Sequence, residues 1–107
     1  MIALPFPPSK LSPNARVHWA VKAKAFKAYK GQCLMLLSQF RRELKGRDSF
    51  ELRFLPPDQR RRDLDNMLAA SKGALDALSE VCGVDDSKFN LKIAKGEPVK
   101  GGAVVVA

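Results

Sequence analysis

The spacing of apolar positions changes several times along the chain, and each change marks an element. The first apolar run, Ile2 to Phe6, is short and is stopped by Pro7-Pro8, as an edge strand would be. Residues 9–16 (SKLSPNAR) carry turn residues and no period, which predicts a loop. From about Val17 to Leu44 the period is helical. Val21, Phe26, Tyr29, Cys33, Leu36 and Phe40 recur at spacings of three to five, with Leu37 beside Leu36, and lysines and arginines take much of the remainder. Gly31 is the point at which this helix would divide in two. Residues 49–55 (SFELRFL) alternate, with Phe50, Leu52 and Phe54 on one side and Glu51 and Arg53 on the other. That is the pattern of a half-buried strand, and Pro56-Pro57-Asp58 end it.

A second helical pattern starts at Asp63, a natural N-cap, and runs to about Val81. Its stripe of Leu64, Leu68, Ser71, Leu75 and Leu78 advances by alternating fours and threes. Gly83 stands where a glycine commonly closes a helix. Val84-Asp85-Asp86-Ser87 follows, then a strand through Phe89, Leu91 and Ile93, a turn from Gly96 to Gly102, and a last strand from Ala103 to Val106. The order β-α-β-α-β-β predicts an α/β (α+β) fold, a small mixed sheet with two main helices packed on it. The 107 residues show no repeat, linker or low-complexity tract, so residues 1–107 read as one domain, large enough for one core.

Composition narrows the partners. The formal net charge is +8, which favours a polyanion such as nucleic acid or an anionic membrane. No run approaches the roughly 20 apolar residues of a membrane span. MIALPFPPSK lacks the basic start of a signal peptide. Cys33 and Cys82 match neither a CxxC pair nor a zinc spacing, so they are expected to be buried, reduced thiols. Together these place the expected protein in the cytoplasm of the cell that makes it, or of a cell its virus has entered, with no membrane partner and no small-molecule cofactor.

The charges of residues 60–66, RRRDLDN, are segregated rather than interleaved. On a continuous helix Asp65, Lys72 and Asp76 would fall within about 40° of one another. Asp63 would stand at the helix mouth, and Asp85 and Asp86 could fold back if the strand after them pairs beside that of Leu52. Carboxylates that converge in this way repel one another unless a cation sits among them. A set of hard oxygen donors suits Mg²⁺, with Mn²⁺ as a substitute, rather than zinc. Such an ion can activate water and neutralise charge on a phosphodiester. Flanking cations would then hold the phosphate backbone nearby. Lys10, Asn14 and Arg16 of the early loop could also reach phosphate, and Lys22, Lys24, Lys27 and Lys30 could grip duplex arms. Each feature has a plainer reading too. Asp63 can be only a cap, Asp85-Asp86-Ser87 only a turn, and Asp76 and Glu80 only solvated surface. His18 reads as structural or as a phosphate contact. Trp19, Phe26 and Tyr29 read as core, with stacking on unpaired bases as the alternative.

Taken in order, LPFPPS (4–9), RRRDLDN (60–66), LDAL (75–78), VDDSKF (84–89) and KGEPVKGG (95–102) resemble the RusA family of Holliday-junction resolvases, often carried by phages and prophages. The resemblance covers most of the chain. It implies a homodimeric, Mg²⁺-dependent endodeoxyribonuclease of DNA recombination and repair that nicks four-way DNA junctions symmetrically. It carries metal-binding and catalytic roles onto Asp63, Asp65 and Asp86, and the functional lysine onto Lys72. Asp85 and Asn66 are additional candidates, and Arg60, Arg61, Arg62, Lys10, Asn14, Arg16 and Lys100 are the expected DNA contacts. Lys72 follows Asp65 by seven residues, where the type member has four, while its spacing to LDAL is kept. That pattern reads as a one-turn insertion within Met67 to Ser71. The competing reading is a non-catalytic basic DNA-binding module of phage origin, which explains the charge but not carboxylates beside the arginines. A DxD nucleotide-sugar transferase is disfavoured because the chain has no nucleotide-binding βαβ fingerprint.

Overall fold

A computed structural model describes residues 1–107. The alternating segment becomes the central strand β2 (Ser49–Leu55), with Phe50, Leu52 and Phe54 buried and Arg53 exposed. On one side β2 pairs in parallel with β3 (Asn90–Lys95), placing Leu52 opposite Ile93. On the other it pairs antiparallel with β4 (Ala103–Val106), and β4 pairs antiparallel with β1 (Ile2–Leu4) at the far edge. The sheet is therefore mixed and four-stranded, in the order β1-β4-β2-β3. A parallel neighbour cannot be reached by a hairpin, and the second helical region supplies the crossover between β2 and β3. The expected α+β architecture is what forms.

The helices are α1 (Trp19–Ser38), α2 (Arg41–Leu44), α3 (Leu64–Ala70) and α4 (Lys72–Cys82). α1 and α4 pack along each other and over one face of the sheet. Their buried stripes, Tyr29, Cys33 and Leu37 from α1 and Ala74, Ala77, Leu78 and Val81 from α4, meet Leu4, Phe54, Val104 and Val106 in a single core. Lys30 reaches across to Glu80 at 2.7 Å, so this lysine braces the helix pair. Cys33 and Cys82 are buried and unpaired, as expected, and burial pushes the Cys33 thiol up to about 11. No helix is long and apolar enough to cross a membrane.

Several boundaries differ from the sequence expectation for local reasons. The first helical region divides at Gln39-Phe40, not at Gly31. There the Ser38 hydroxyl donates to the Leu34 carbonyl at 2.7 Å, and the Phe40 N–H turns to Leu37, three residues back. The second region divides at Ser71, which is fully buried. Its hydroxyl donates to the Met67 carbonyl at 2.9 Å and its N–H is shared between Met67 and Leu68. The strand expected to run to Phe6 ends at Leu4, and the one expected through Phe89 starts at Asn90. Gly83 does close α4, with φ of 73°. Trp19, expected in the core, is 77% exposed at the first position of α1. His18 is structural: its Nδ1 accepts the Ala20 N–H at 3.1 Å and caps α1.

Candidate nucleic-acid interface

Pro7 and Pro8 end β1 and turn the chain into a short 3-10 turn, Ser9–Leu11, whose Leu11 N–H donates to the Pro8 carbonyl at 2.9 Å. Three ties hold this loop to the body. The buried Tyr29 hydroxyl donates to the Pro5 carbonyl at 2.7 Å, Leu11 is buried, and Lys22 Nζ donates to the Ser12 carbonyl at 3.4 Å. On the other side of the loop lies the Gly101-Gly102 turn. Gly102 has φ of 69°, and a Cβ there would meet Phe6 at 2.8 Å and Pro57 at 3.1 Å, so only glycine fits. Between the loop and the segment from Pro57 to Met67 opens a cleft of about 620 Å³. Asn14, Arg60, Arg61, Arg62, Asp63 and Asn66 all contribute to its lining. Candidates some fifty residues apart in the chain thus share one concave surface.

The arginines differ in what holds them. Arg62 is the most enclosed, with its side chain 16% exposed against 76% for Arg60 and 93% for Arg61. Its Nη1 pairs with Asp58 Oδ1 at 2.7 Å, and its guanidinium lies 5.8 Å from the Phe6 ring centroid. The Asp58 carboxylate also accepts the Arg60 N–H at 2.9 Å. The Arg62 side chain and then that N–H lower the Asp58 pKa to about 2. Arg62, expected to grip phosphate, is therefore chiefly an internal brace. Arg60 and Arg61 make only long, exposed ion pairs, 3.7 Å to Asp58 and 3.9 Å to Asp63, and such contacts hold a side chain weakly. Asp58 was missed as a site residue. Its signal was its place four residues before Arg62, directly after Pro56-Pro57.

Of the projected acidic face, the Lys72–Asp76 pair forms, and the loop after α4 folds back so that Asp86 joins it. Asp63 occupies the N-cap position of α3 with extended backbone, but its side chain makes no capping bond and leans toward Arg61. Asp65 is exposed in the first turn of α3. Ser71 interrupts the helix between Asp65 and Lys72. Lys72 Nζ donates to Asp76 Oδ1 at 2.8 Å and, closely, to Asp86 Oδ2. Those two carboxylates, Asp76 first, raise the Lys72 pKa. The structure also separates the neighbouring aspartates of the acidic loop. Asp85 accepts the Ser87 N–H at 2.9 Å and caps the 3-10 turn Asp86–Lys88, and that bond lowers its pKa. Asp86 faces Lys72.

No three acidic, histidine or cysteine side chains lie close enough together to hold a metal ion. Asp63, Asp65 and Asp86 are thus not a preassembled centre in this conformation. In kind they fit a hard divalent ion, because every donor is a carboxylate oxygen. The remaining DNA candidates lie around the cleft. Lys10 and Asn14 line a shallow depression next to it, and Arg16 and Lys100 are exposed outside its lining.

No family model matches the chain. It is similar to a protein of Xylella fastidiosa (strain Temecula1) described as uncharacterized, 37% identical over 93 residues. The match covers 82% of this chain and 61% of that protein, so the chain spans less than two thirds of its relative's length.

Proposed function

We propose that the chain is a structure-specific endodeoxyribonuclease that binds branched DNA, with a four-way junction as its substrate and a second copy of the chain as its partner. The observation that carries this reading is the cleft in which Asn14, Arg60 and Arg61 meet Asp63 and Asn66. Arg60 and Arg61 are exposed cations with only weak internal partners, as a backbone-phosphate contact requires. Arg62 and Asp58 hold the loop that presents them. Lys72 holds Asp86 against α4 and carries a positive charge to the acidic edge, where it can oppose charge developing on a phosphodiester. A Mg²⁺ ion, when bound by Asp63, Asp65 and Asp86, would supply an activated water and charge neutralisation. Two related cuts on a four-way junction match a two-fold pair of such chains.

A second reading rests on a specific observation, the unassembled carboxylates. It is a non-catalytic basic DNA-binding module that uses the same arginines. Incubation of a synthetic four-way junction with the protein in Mg²⁺ and in EDTA separates the two. The nuclease reading predicts paired nicks that need Mg²⁺ and are abolished by Asp65→Asn, with linear duplex spared. Junction binding without any cut supports the module instead.

A further inference from the structure

A second polar cleft, of about 650 Å³, opens beside the first and shares Asp58 and Arg60 with it. Its charged lining is Arg53, Arg60 and Lys95 against Asp58 and Glu97, and Pro56 and Pro98 are its apolar side chains. Arg53 and Lys95 come from the ends of the neighbouring strands β2 and β3, where Phe54 stands opposite Lys95 in the register. The position of Arg53 is shaped by Gly96. A Cβ on Gly96 would collide with the Leu55 side chain and crowd Arg53 Cδ at 3.2 Å, so both stems pass over the glycine. Lys95 Nζ donates to the Arg62 carbonyl at 3.4 Å, which ties the cleft wall to the arginine loop. Asp58 is held chiefly by Arg62, with Arg60 at 3.7 Å, so the three cations outnumber the two lining carboxylates, one of which is already paired. Glu51 approaches Arg53 from outside the cleft, at 3.7 Å between exposed side chains.

We infer that this second cleft takes the phosphate backbone of a second DNA strand leaving the branch point, with Arg53, Arg60 and Lys95 as its contacts. The inference rests on the branched-DNA reading above and adds to it a source of shape selectivity. The loop from Asp58 to Arg62 stands between the clefts, braced by its own ion pair and by Phe6. Two strands that diverge at a junction can lie on either side of it. The backbone of a linear duplex does not diverge, and it engages the first cleft alone. An apolar small molecule is a poor occupant, since such ligands need a largely hydrophobic lining.

The test is equilibrium binding of labelled four-way junction and linear duplex in EDTA, across a salt titration, for wild type, Arg53→Gln/Lys95→Gln and Arg41→Gln/Arg42→Gln. The last pair removes the same charge from α2, outside both clefts. Loss of two phosphate contacts by Arg53→Gln/Lys95→Gln should weaken junction binding about tenfold and make its salt slope shallower by about 1.8. Duplex binding by that variant, and junction binding by the control pair, should change less than about twofold. Equal loss on both DNAs, an equal effect of the control pair, or no loss at all would overturn the second cleft. If wild type still cuts junctions in Mg²⁺ in those cases, the proposed function stands without it. If wild type neither prefers nor cuts the junction, both fail together.

Discussion

Three consecutive arginines carry different duties because of what lies within reach of each. Arg62 finds Asp58 and the face of Phe6, and is enclosed, whereas Arg61 projects almost fully into solvent. Arg62→Ala should therefore lower the melting temperature. Arg61→Ala should leave stability within about 0.5 kcal/mol, as exposed substitutions usually do, and weaken DNA binding instead. Thermal melts and binding isotherms on the same two proteins check the division. Asp58 adds a pH signature. Its folded pKa of about 2 lies below the unfolded value of about 3.9. Its contribution is thus fully present above the unfolded pKa and is lost as pH falls through the folded one. The gap in melting temperature between wild type and Asp58→Asn should be open at pH 5 and close progressively toward pH 2. A gap that stays constant over that range would remove Asp58 as the anchor of the loop.

At the scale of elements, the first cleft depends on how the proline loop is tied to α1. Tyr29 is 2% exposed, and its hydroxyl donates to the Pro5 carbonyl. Tyr29→Phe removes the donor and leaves a half-buried acceptor without it, at a cost of about 1 kcal/mol. Amide exchange should then quicken in the loop around Ser9–Leu11 before it quickens in β2, and uniform loss of protection would contradict a local tie. The strands were legible in the sequence because alternation in SFELRFL survives into the sheet, with the three expected residues buried. The divisions at Gln39-Phe40 and at Ser71 were not. At both places a serine side chain bonds back to a carbonyl four residues earlier, a local choice that leaves the apolar period unbroken. Ser71 even lies on the expected apolar stripe and is buried as that stripe requires. Lys72, just after it, meets Asp76 of its own helix and Asp86 of the loop that follows α4.

At the scale of the whole molecule, the charge of +8 and the segregated RRRDLDN pointed to a phosphate-binding surface. The fold gathers most of those residues at one end of the sheet. What could not be read was the pairing within that surface. Asp58 and Arg62 satisfy each other, Asp85 is spent on its own turn, and Lys72 spans two carboxylates, because these contacts depend on loops and on the register of β3 beside β2. The central claim is that Arg60 and Arg61 hold phosphate beside carboxylates that act on it. Strand-by-strand mapping of nicks on a four-way junction in Mg²⁺, for wild type, Asp65→Asn and Arg60→Gln/Arg61→Gln, tests it most directly. Wild type should give symmetric paired nicks, and Asp65→Asn should bind the junction and leave it intact. Arg60→Gln/Arg61→Gln should cut at the same positions but need a higher protein concentration. Nicks that persist in Asp65→Asn, or junction binding indifferent to both arginines, would contradict the account.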